Sequence, residues 1–246
     1  MTARIPSSLA RTVVGGAPHT MREQERIRSA GPGLAGKVVV VDAGHGGADH
    51  GITGHGLGES SVAEDLAARI EGRLTAVGAR AYLTRGRLGD DERPPDEDAR
   101  ARFANQTAAD LVVSLHVDGH PNPHAQGVAT FYYGTTDGAA RSPMGAAFAR
   151  LVQREITART DLVDCGVDAK TWDLLRRTRM PAVRIEVGYL TNAHDADRLR
   201  DPTFRDVVAE AVAVAVQRLY LPPDSDAPTG VLRLPALDAA PASPRR

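Results

Sequence analysis

One short apolar run, VVVV at residues 38–41, constrains the fold of this chain more than any other feature. Four consecutive β-branched residues that lead into Asp42, Ala43 and Gly44 are typical of a strand buried on both faces of a sheet. A strand of this kind needs a layer of helices on each side, and helical patterns follow it along the chain. The run therefore predicts an α/β domain.

Strand and helix patterns alternate through the middle of the chain. A helix is predicted over residues 59–77, because apolar residues recur every four positions from Val62 to Leu74 and Gly78 follows as a cap. The other predicted helices cover residues 98–108, 143–158 and 202–219, and the other predicted strands cover residues 80–83, 110–115, 127–133 and 182–187. This order predicts a single α/β domain with a twisted, mostly parallel sheet of about five to six strands flanked by helices, with room for an antiparallel member.

The two ends of the chain differ in composition from the middle. Residues 1–34 are mixed and polar and are interrupted by Gly and Pro, so we expect a flexible leader or linker there. Residues 222–246 are rich in Pro, Ala and Asp, which predicts a disordered tail. The folded domain is therefore expected over residues 35–221.

Charge, hydropathy and cysteine content limit the possible functions. The net charge of −1 over 246 residues gives no global positive field to hold nucleic acid. No run of 18 apolar residues occurs, so no membrane span is predicted. Separately, a monomer is expected. The single cysteine, Cys165, excludes an intrachain disulfide and a multi-cysteine zinc site, so a tight zinc site would need His and carboxylate ligands. Cys165 itself is expected to be a small buried residue.

Polar residues follow the predicted strands at the points where the strands end. His45 follows the first strand, His116 ends the third and Glu186 ends the fifth, while Glu59 opens a helix after a glycine-rich loop. In open α/β sheets, functional sites form beyond the carboxyl ends of the strands. Two imidazoles and one carboxylate form a known catalytic zinc set that leaves a position open for water, and a separate carboxylate, Glu186, can act as general base and acid.

Residue types alone leave simpler interpretations open. Each histidine can be an ordinary hydrogen-bonded loop residue, and Glu59 can be a first-turn acid that favours the helix dipole. Glu186 is harder to explain this way, because a carboxylate inside an apolar strand costs several kcal/mol unless it has a partner. Arg184 is not expected to be that partner, since a bridge between residues i and i+2 of one strand would be exposed.

Together, these motifs resemble the zinc-dependent N-acetylmuramoyl-L-alanine amidases, the third amidase family of cell-wall hydrolases. The resemblance runs from Val38 to about Leu219 and keeps the family's motif order and spacing. It rests on VDAGHGG at residues 41–47, GE at 58–59, LTR at 83–85, Arg100 with AN at 104–105, ADLVVSLH at 109–116, MPA at 180–182 and EVGYLTN at 186–192.

The resemblance implies zinc ligands at His45, Glu59 and His116 and a catalytic glutamate at Glu186. It selects Glu59 over the nearby Glu64, because only Glu59 lies at the family's distance from the LTR motif. The implied reaction is hydrolysis of the amide between N-acetylmuramic acid and L-alanine, with peptidoglycan or muramyl-peptide fragments as substrate. The alternative is a catalytically weak or inactive protein that keeps the amidase fold and binds or regulates in cell-wall metabolism.

The location expected from the family is the cell wall, outside the cytoplasm. The first 32 residues, however, lack the basic start and apolar stretch of a secretory signal. The leader is therefore missing from this sequence, or the chain acts in the cytoplasm, or the sequence is one piece of a longer protein.

Two stretches depart from the family pattern. The family often has Asp-Pro-Gly where this chain has DHG at residues 49–51, and His-Ala-Asn where it has HVD at residues 116–118. Asp118 can therefore act as the acceptor that orients a ligand histidine. Four further histidines are expected to be solvated loop residues, with a contact to substrate or to a second ion as the alternative: His50, His55, His120 and His124. Trp172 is expected in the core, or alternatively along a substrate groove.

Overall fold

The structure, a computed structural model, describes residues 34–221. The predicted tail at residues 222–246 and residues 1–33 of the predicted leader lie outside the described residues. Leu34, the remaining residue of the predicted leader, is fully buried and packs in the main core. Among the described residues, no helix combines the length and the apolar character needed to cross a membrane.

The described part of the chain folds as a single α/β domain that contains a six-stranded sheet, a short hairpin and six helices. In chain order, the elements are β1 (Val38–Ala43), β2 (Thr53–Gly54), β3 (Leu57–Gly58), α1 (Glu59–Ala76), β4 (Arg80–Leu83), α2 (Glu97–Gln106), β5 (Leu111–Asp118), β6 (Val128–Tyr133), α3 (Pro143–Arg159), β7 (Asp164–Lys170), α4 (Asp173–Arg177), β8 (Ala182–Tyr189), α5 (Ala193–Arg200) and α6 (Pro202–Leu219).

The main sheet has the strand order β4-β1-β5-β8-β6-β7. Strands β4, β1, β5 and β8 are parallel, and β6 pairs antiparallel with β8 and parallel with β7. All six residues of β1 are buried, as its β-branched run predicts. The predicted fold class is confirmed, including the antiparallel member, and the carboxyl ends of the four parallel strands share one edge of the sheet.

Helices cover both faces of the sheet. Helices α1, α3 and α6 pack on one face and form the larger core with alternate residues of β1 and β5, such as Val39 and Val113. The residues between them, such as Val40 and Val112, belong to a smaller core that also contains Ala104 of α2 and Leu175 of α4. This alternation follows from strand geometry, in which successive side chains point to opposite faces.

Several elements have no clear signal in the sequence. Strand β7 lies at the edge of the sheet and is largely exposed, so it has no apolar alternation to mark it. Helix α5 is eight residues long and mostly polar, with only Ala196 and Leu199 in its buried apolar positions.

The prediction that Cys165 is buried was wrong: it lies on the exposed part of β7, where its thiol donates to the Gln126 carbonyl at 3.2 Å.

Candidate active site

The central parallel strands bring His116 and Glu186 side by side. The two residues are paired across β5 and β8, and both are nearly buried, with exposures of 7% and 5%. On its other side, Glu186 is paired with Ala129 of β6. In-register neighbours on parallel strands point to the same face, so both side chains project at the same place near the carboxyl end of the sheet.

The loop after β1 turns His45 back over this edge. His45 has a φ of 55°, in the left-handed region that residues other than glycine rarely adopt. Glycines on both sides permit close packing. A Cβ at Gly44 would lie 2.3 Å from the His116 ring, and a Cβ at Gly51 would lie 2.4 Å from Glu59 Oε2. The glycine-rich sequence is therefore what allows the backbone to wrap around the polar groups.

Glu59 lies between the two histidines. Its Oε1 is 2.7 Å from His116 Nδ1 and 3.2 Å from His45 Nε2. The backbone N–H of Val117 donates to the same oxygen, and that of Ile52 donates to Oε2. One potential ligand atom from each of the three side chains lies within 4.8 Å of the others, so the cluster can hold a metal ion.

Glu59 is stabilised in its ionised form. Burial alone would raise the pKa of this carboxyl, but hydrogen bonds to His116 and His45 outweigh burial and hold the pKa well below its usual range. The pKa of His45 is raised in turn, chiefly by its hydrogen bond to Glu59. The site thus presents a buried carboxylate and two imidazoles that face one point, which is a donor set suited to a divalent cation.

Two buried arginines donate hydrogen bonds to the backbone of this loop. Arg85 donates to the carbonyl oxygens of Ala43 and Gly44 at 3.1 and 3.0 Å. Arg100 donates to the His45 carbonyl at 2.9 Å, and it also contacts the Ala43 carbonyl. The loop that carries His45 is therefore positioned by charged side chains and not only by its own turns.

Comparison with known families decides how this arrangement is classified. A family model described as N-acetylmuramoyl-L-alanine amidase matches residues 39–218, which is nearly all of the described domain. The chain belongs to the N-acetylmuramoyl-L-alanine amidase family. This confirms the resemblance drawn from the sequence motifs.

Individual relatives in this family agree with the match. The N-acetylmuramoyl-L-alanine amidase CwlM of Mycobacterium tuberculosis is 44% identical over 226 residues, which cover 90% of this chain and 54% of that protein. The amidase LytC of Bacillus subtilis is 32% identical, and the match covers 73% of this chain and 34% of that protein. The chain thus spans about half or less of the length of these relatives.

A solved structure supports the fold. The structure of the amidase AmiC2 of Nostoc punctiforme superposes with a TM-score of 0.66 at 30% identity, covering 74% of this chain and 96% of that one. The described domain thus shares its overall fold with this amidase structure.

The two candidate glutamates of α1, Glu59 and Glu64, have different partners in the structure. Glu59 faces the histidines, whereas Glu64 is paired with Arg85 Nη1 at 2.9 Å, outside the cluster of His45, Glu59 and His116. The carboxylate that accepts a hydrogen bond from a histidine of this cluster is also different from the one suggested by the sequence. Asp49 Oδ2 lies 2.8 Å from His45 Nδ1, whereas Asp118 Oδ1 accepts from the Gly119 backbone. Asp49 was missed because its role depends on the turn of the loop.

The prediction that Arg184 cannot partner Glu186 was wrong. Arg184 Nε donates to Glu186 Oε1 at 2.7 Å, and the Arg184 side chain is only 18% exposed. The bridge is shielded because Trp172 lies against the guanidinium, with Arg184 Cζ 4.4 Å from the ring centroid. Burial raises the pKa of the Glu186 carboxyl, although the charge of Arg184 opposes that effect. Trp172 is half-buried and packs against the smaller core.

A cleft of about 550 Å³ opens beside the cluster of His45 and His116. Its other walls come from the loop before α2, from α2 itself and from Arg184. The four additional histidines of the surrounding loops are all exposed: His50, His55, His120 and His124. Within residues 34–221, the cluster with Glu59 is the only group of His, Cys, Asp and Glu side chains arranged to hold a metal ion.

Proposed function

We propose that this chain is a zinc-dependent amidase that cleaves the amide bond between N-acetylmuramic acid and L-alanine of peptidoglycan. The observation that carries the proposal is the convergence of His45, Glu59 and His116 next to Glu186, at the carboxyl-end edge of the parallel strands. The names of CwlM, LytC and AmiC2, all N-acetylmuramoyl-L-alanine amidases, support the choice of bond and substrate.

The side chains fit zinc by their chemistry. Two imidazole nitrogens and one carboxylate oxygen are a ligand set of catalytic zinc sites, which leave a fourth position open. The close approach of Gly44 and Gly51 to these groups leaves no room for a side chain at either position. In this proposal His45, Glu59 and His116 hold the ion. When bound, zinc supplies Lewis acidity that polarises an amide carbonyl and makes hydroxide available near neutral pH.

Glu186 is proposed as the general base and then the general acid. It would accept a proton from the attacking water and return it to the departing amine of L-alanine. Burial raises the pKa of this carboxyl towards the range in which a group can both accept and release a proton. Asp49 would hold the His45 ring through Nδ1, so that Nε2 faces the metal.

The cleft beside the histidines is the proposed binding place for the muramyl peptide. It is open to solvent on a domain whose described part contains no membrane-spanning helix. The proposed location of action is the cell wall, as expected from substrate chemistry and from the names of the relatives.

Turnover can be tested directly with the purified chain. The protein is incubated with zinc and a muramyl peptide, and mass spectrometry follows the release of a free peptide that begins with L-alanine. We expect about one zinc ion per chain and release that stops with a chelator and resumes when zinc is added back. The Glu186→Gln variant should keep its zinc and its thermal stability but lose about 10²–10⁴-fold in kcat.

Each result distinguishes between hypotheses. Release of the peptide without zinc, or by Glu186→Gln at the unaltered rate, would contradict the proposed roles. Zinc binding without release from any muramyl peptide would favour the alternative of a binding or regulatory protein with the amidase fold. A metal content near zero after zinc loading would contradict the proposed zinc site at His45, Glu59 and His116.

A further inference from the structure

Arg184 is held from three sides next to Glu186. Its Nη1 lies 3.3 Å from Glu97 Oε1, at the start of α2. Its Cζ lies over the Trp172 ring, 4.4 Å from the centroid, and that ring makes an edge contact with Phe131 at 4.9 Å between centroids. Its Nε donates to Glu186 at 2.7 Å. The arginine thus has little freedom to move independently of the surrounding elements.

The groups that hold Arg184 are themselves anchored. Glu97 Oε2 accepts from the Leu174 backbone N–H at 3.1 Å, which joins α2 to α4. Trp172 is the residue directly before α4 and packs with the smaller core. A series of contacts therefore connects α2 and α4, through Arg184, to the carboxylate of Glu186.

Glu186 needs such a partner because its side chain has three rotatable bonds. Within residues 34–221, the hydrogen bond from Arg184 is the one protein hydrogen bond that its carboxylate accepts. That bond engages Oε1 and leaves Oε2 without a protein donor in the described part of the chain. A general base needs one such free oxygen, directed at the water that it deprotonates.

We propose that Arg184, braced by Glu97 and Trp172, is a positioning residue that orients the Glu186 carboxylate for proton transfer in the amidase reaction. This inference rests on the proposed function, in which Glu186 is the general base. Arg184 acts through Glu186 and not by contact with the reacting atoms. The opposite effect, in which the ion pair withholds Glu186 from the reaction, predicts the reverse outcome in the same experiment.

Kinetics of three variants test the proposal. Arg184→Leu should lower kcat by about tenfold to hundredfold, because a misdirected base slows the chemical step. Arg184 also lines the proposed substrate cleft, so KM is measured separately and a rise in KM alone, with kcat unaltered, would contradict a role in orienting the base. Arg184→Lys should recover part of kcat, since it keeps a cation within reach of the carboxylate. Arg176→Leu is the matched control: it removes an arginine paired with Asp173 on neighbouring α4 and should not change kcat.

Crystal structures of the unaltered chain and of Arg184→Leu supply a measurement that does not depend on turnover. We expect the Glu186 carboxylate to move or to occupy more than one rotamer in the variant, with zinc content unchanged. A carboxylate that stays in place overturns the proposal, and so does a kcat that rises or stays the same. If the unaltered chain has no amidase activity, the proposed function fails, and the position of Glu186 in the two structures still decides whether Arg184 orients it.

Discussion

Arginine–aspartate pairs occur in two different surroundings in this molecule. At the carboxyl-end edge of the sheet, Arg100 Nη1 lies 2.9 Å from Asp42 Oδ1, and the two side chains are 5% and 1% exposed. Within α1, Arg69 Nε lies 2.6 Å from Asp65 Oδ2, and the two side chains are 25% and 35% exposed. The same two residue types thus meet at similar distances with different access to water.

The difference in exposure changes what each pair does. Burial would raise the pKa of Asp42, but Arg100 and the hydroxyl donors Ser114 and Thr84 outweigh burial and lower it. Arg100 also holds the backbone that carries His45, whereas Arg69 bonds only to side chains of α1 and α6. We interpret the buried pair as one that positions the loop carrying His45, since buried ion pairs add little net stability but are costly to disrupt.

The largest effect is expected from removal of one member of the buried pair. Arg100→Leu should destabilise the chain by about 3–5 kcal/mol, because it leaves the Asp42 carboxylate buried without its cation. It should also weaken zinc binding, since the His45 carbonyl loses a donor. Chemical denaturation and competition with a chromogenic chelator measure the two effects.

A double variant separates the buried charge from lost packing. Asp42→Asn combined with Arg100→Leu removes the charge and keeps an acceptor oxygen for one of the two hydroxyls, Thr84 or Ser114, while the other hydroxyl can accept from the new amide NH2. Stability should recover in part relative to Arg100→Leu alone. If the double variant is less stable than the single one, the cost does not come from an unpaired charge.

A smaller effect, confined to the metal, is expected at Asp49. This side chain is 53% exposed and accepts from His45, so Asp49→Ala should leave the fold intact. Loss of the partner that orients a ligand imidazole lowers metal affinity by about tenfold to hundredfold in comparable sites. Asp49→Asn, which keeps an acceptor, should retain most of the affinity, measured by chelator competition.

Asp91→Ala, at an exposed acid of the loop before α2, is the matched control for Asp49→Ala. It changes the local charge by the same amount and should bind zinc as the unaltered chain does. Equal zinc affinities for the two alanine variants would show that Asp49 contributes only its charge to the site, or nothing.

The fold could be predicted from the sequence because buried strands and amphipathic helices have strong periodic patterns. The run at residues 38–41 identified the central strand, and the strand ends located His45, His116 and Glu186. Glu59 required the family resemblance, because an acid in the first turn of a helix has an ordinary explanation. The spacing of the motifs along the chain identified Glu59, which hydrophobic periodicity could not do.

Contacts that depend on the path of loops could not be predicted in this way. The orientation of Asp49 towards His45 results from a left-handed residue and neighbouring glycines, which leave no periodic signal. The Arg184–Glu186 bridge was judged exposed, because nothing in the sequence indicates that Trp172 covers that face of β8. The first contact depends on the path of one loop, and the second depends on Trp172, which comes from a separate segment of the chain.

The smallest effect is expected from the same substitution in the exposed pair. Arg69→Leu removes bonds to Asp65 and Asp206, which are both accessible to water. Each carboxylate also keeps a second partner, Arg205 for Asp65 and Arg73 for Asp206. The melting temperature should fall by only about 1–3 °C, and zinc affinity and turnover should stay unchanged. Differential scanning calorimetry of Arg69→Leu and Arg100→Leu compares the loss of stability that the same substitution causes in an exposed pair and in a buried pair. Equal losses of stability would mean that burial does not distinguish the pairs, and the positioning role assigned to Arg100 would then rest on its backbone contacts alone.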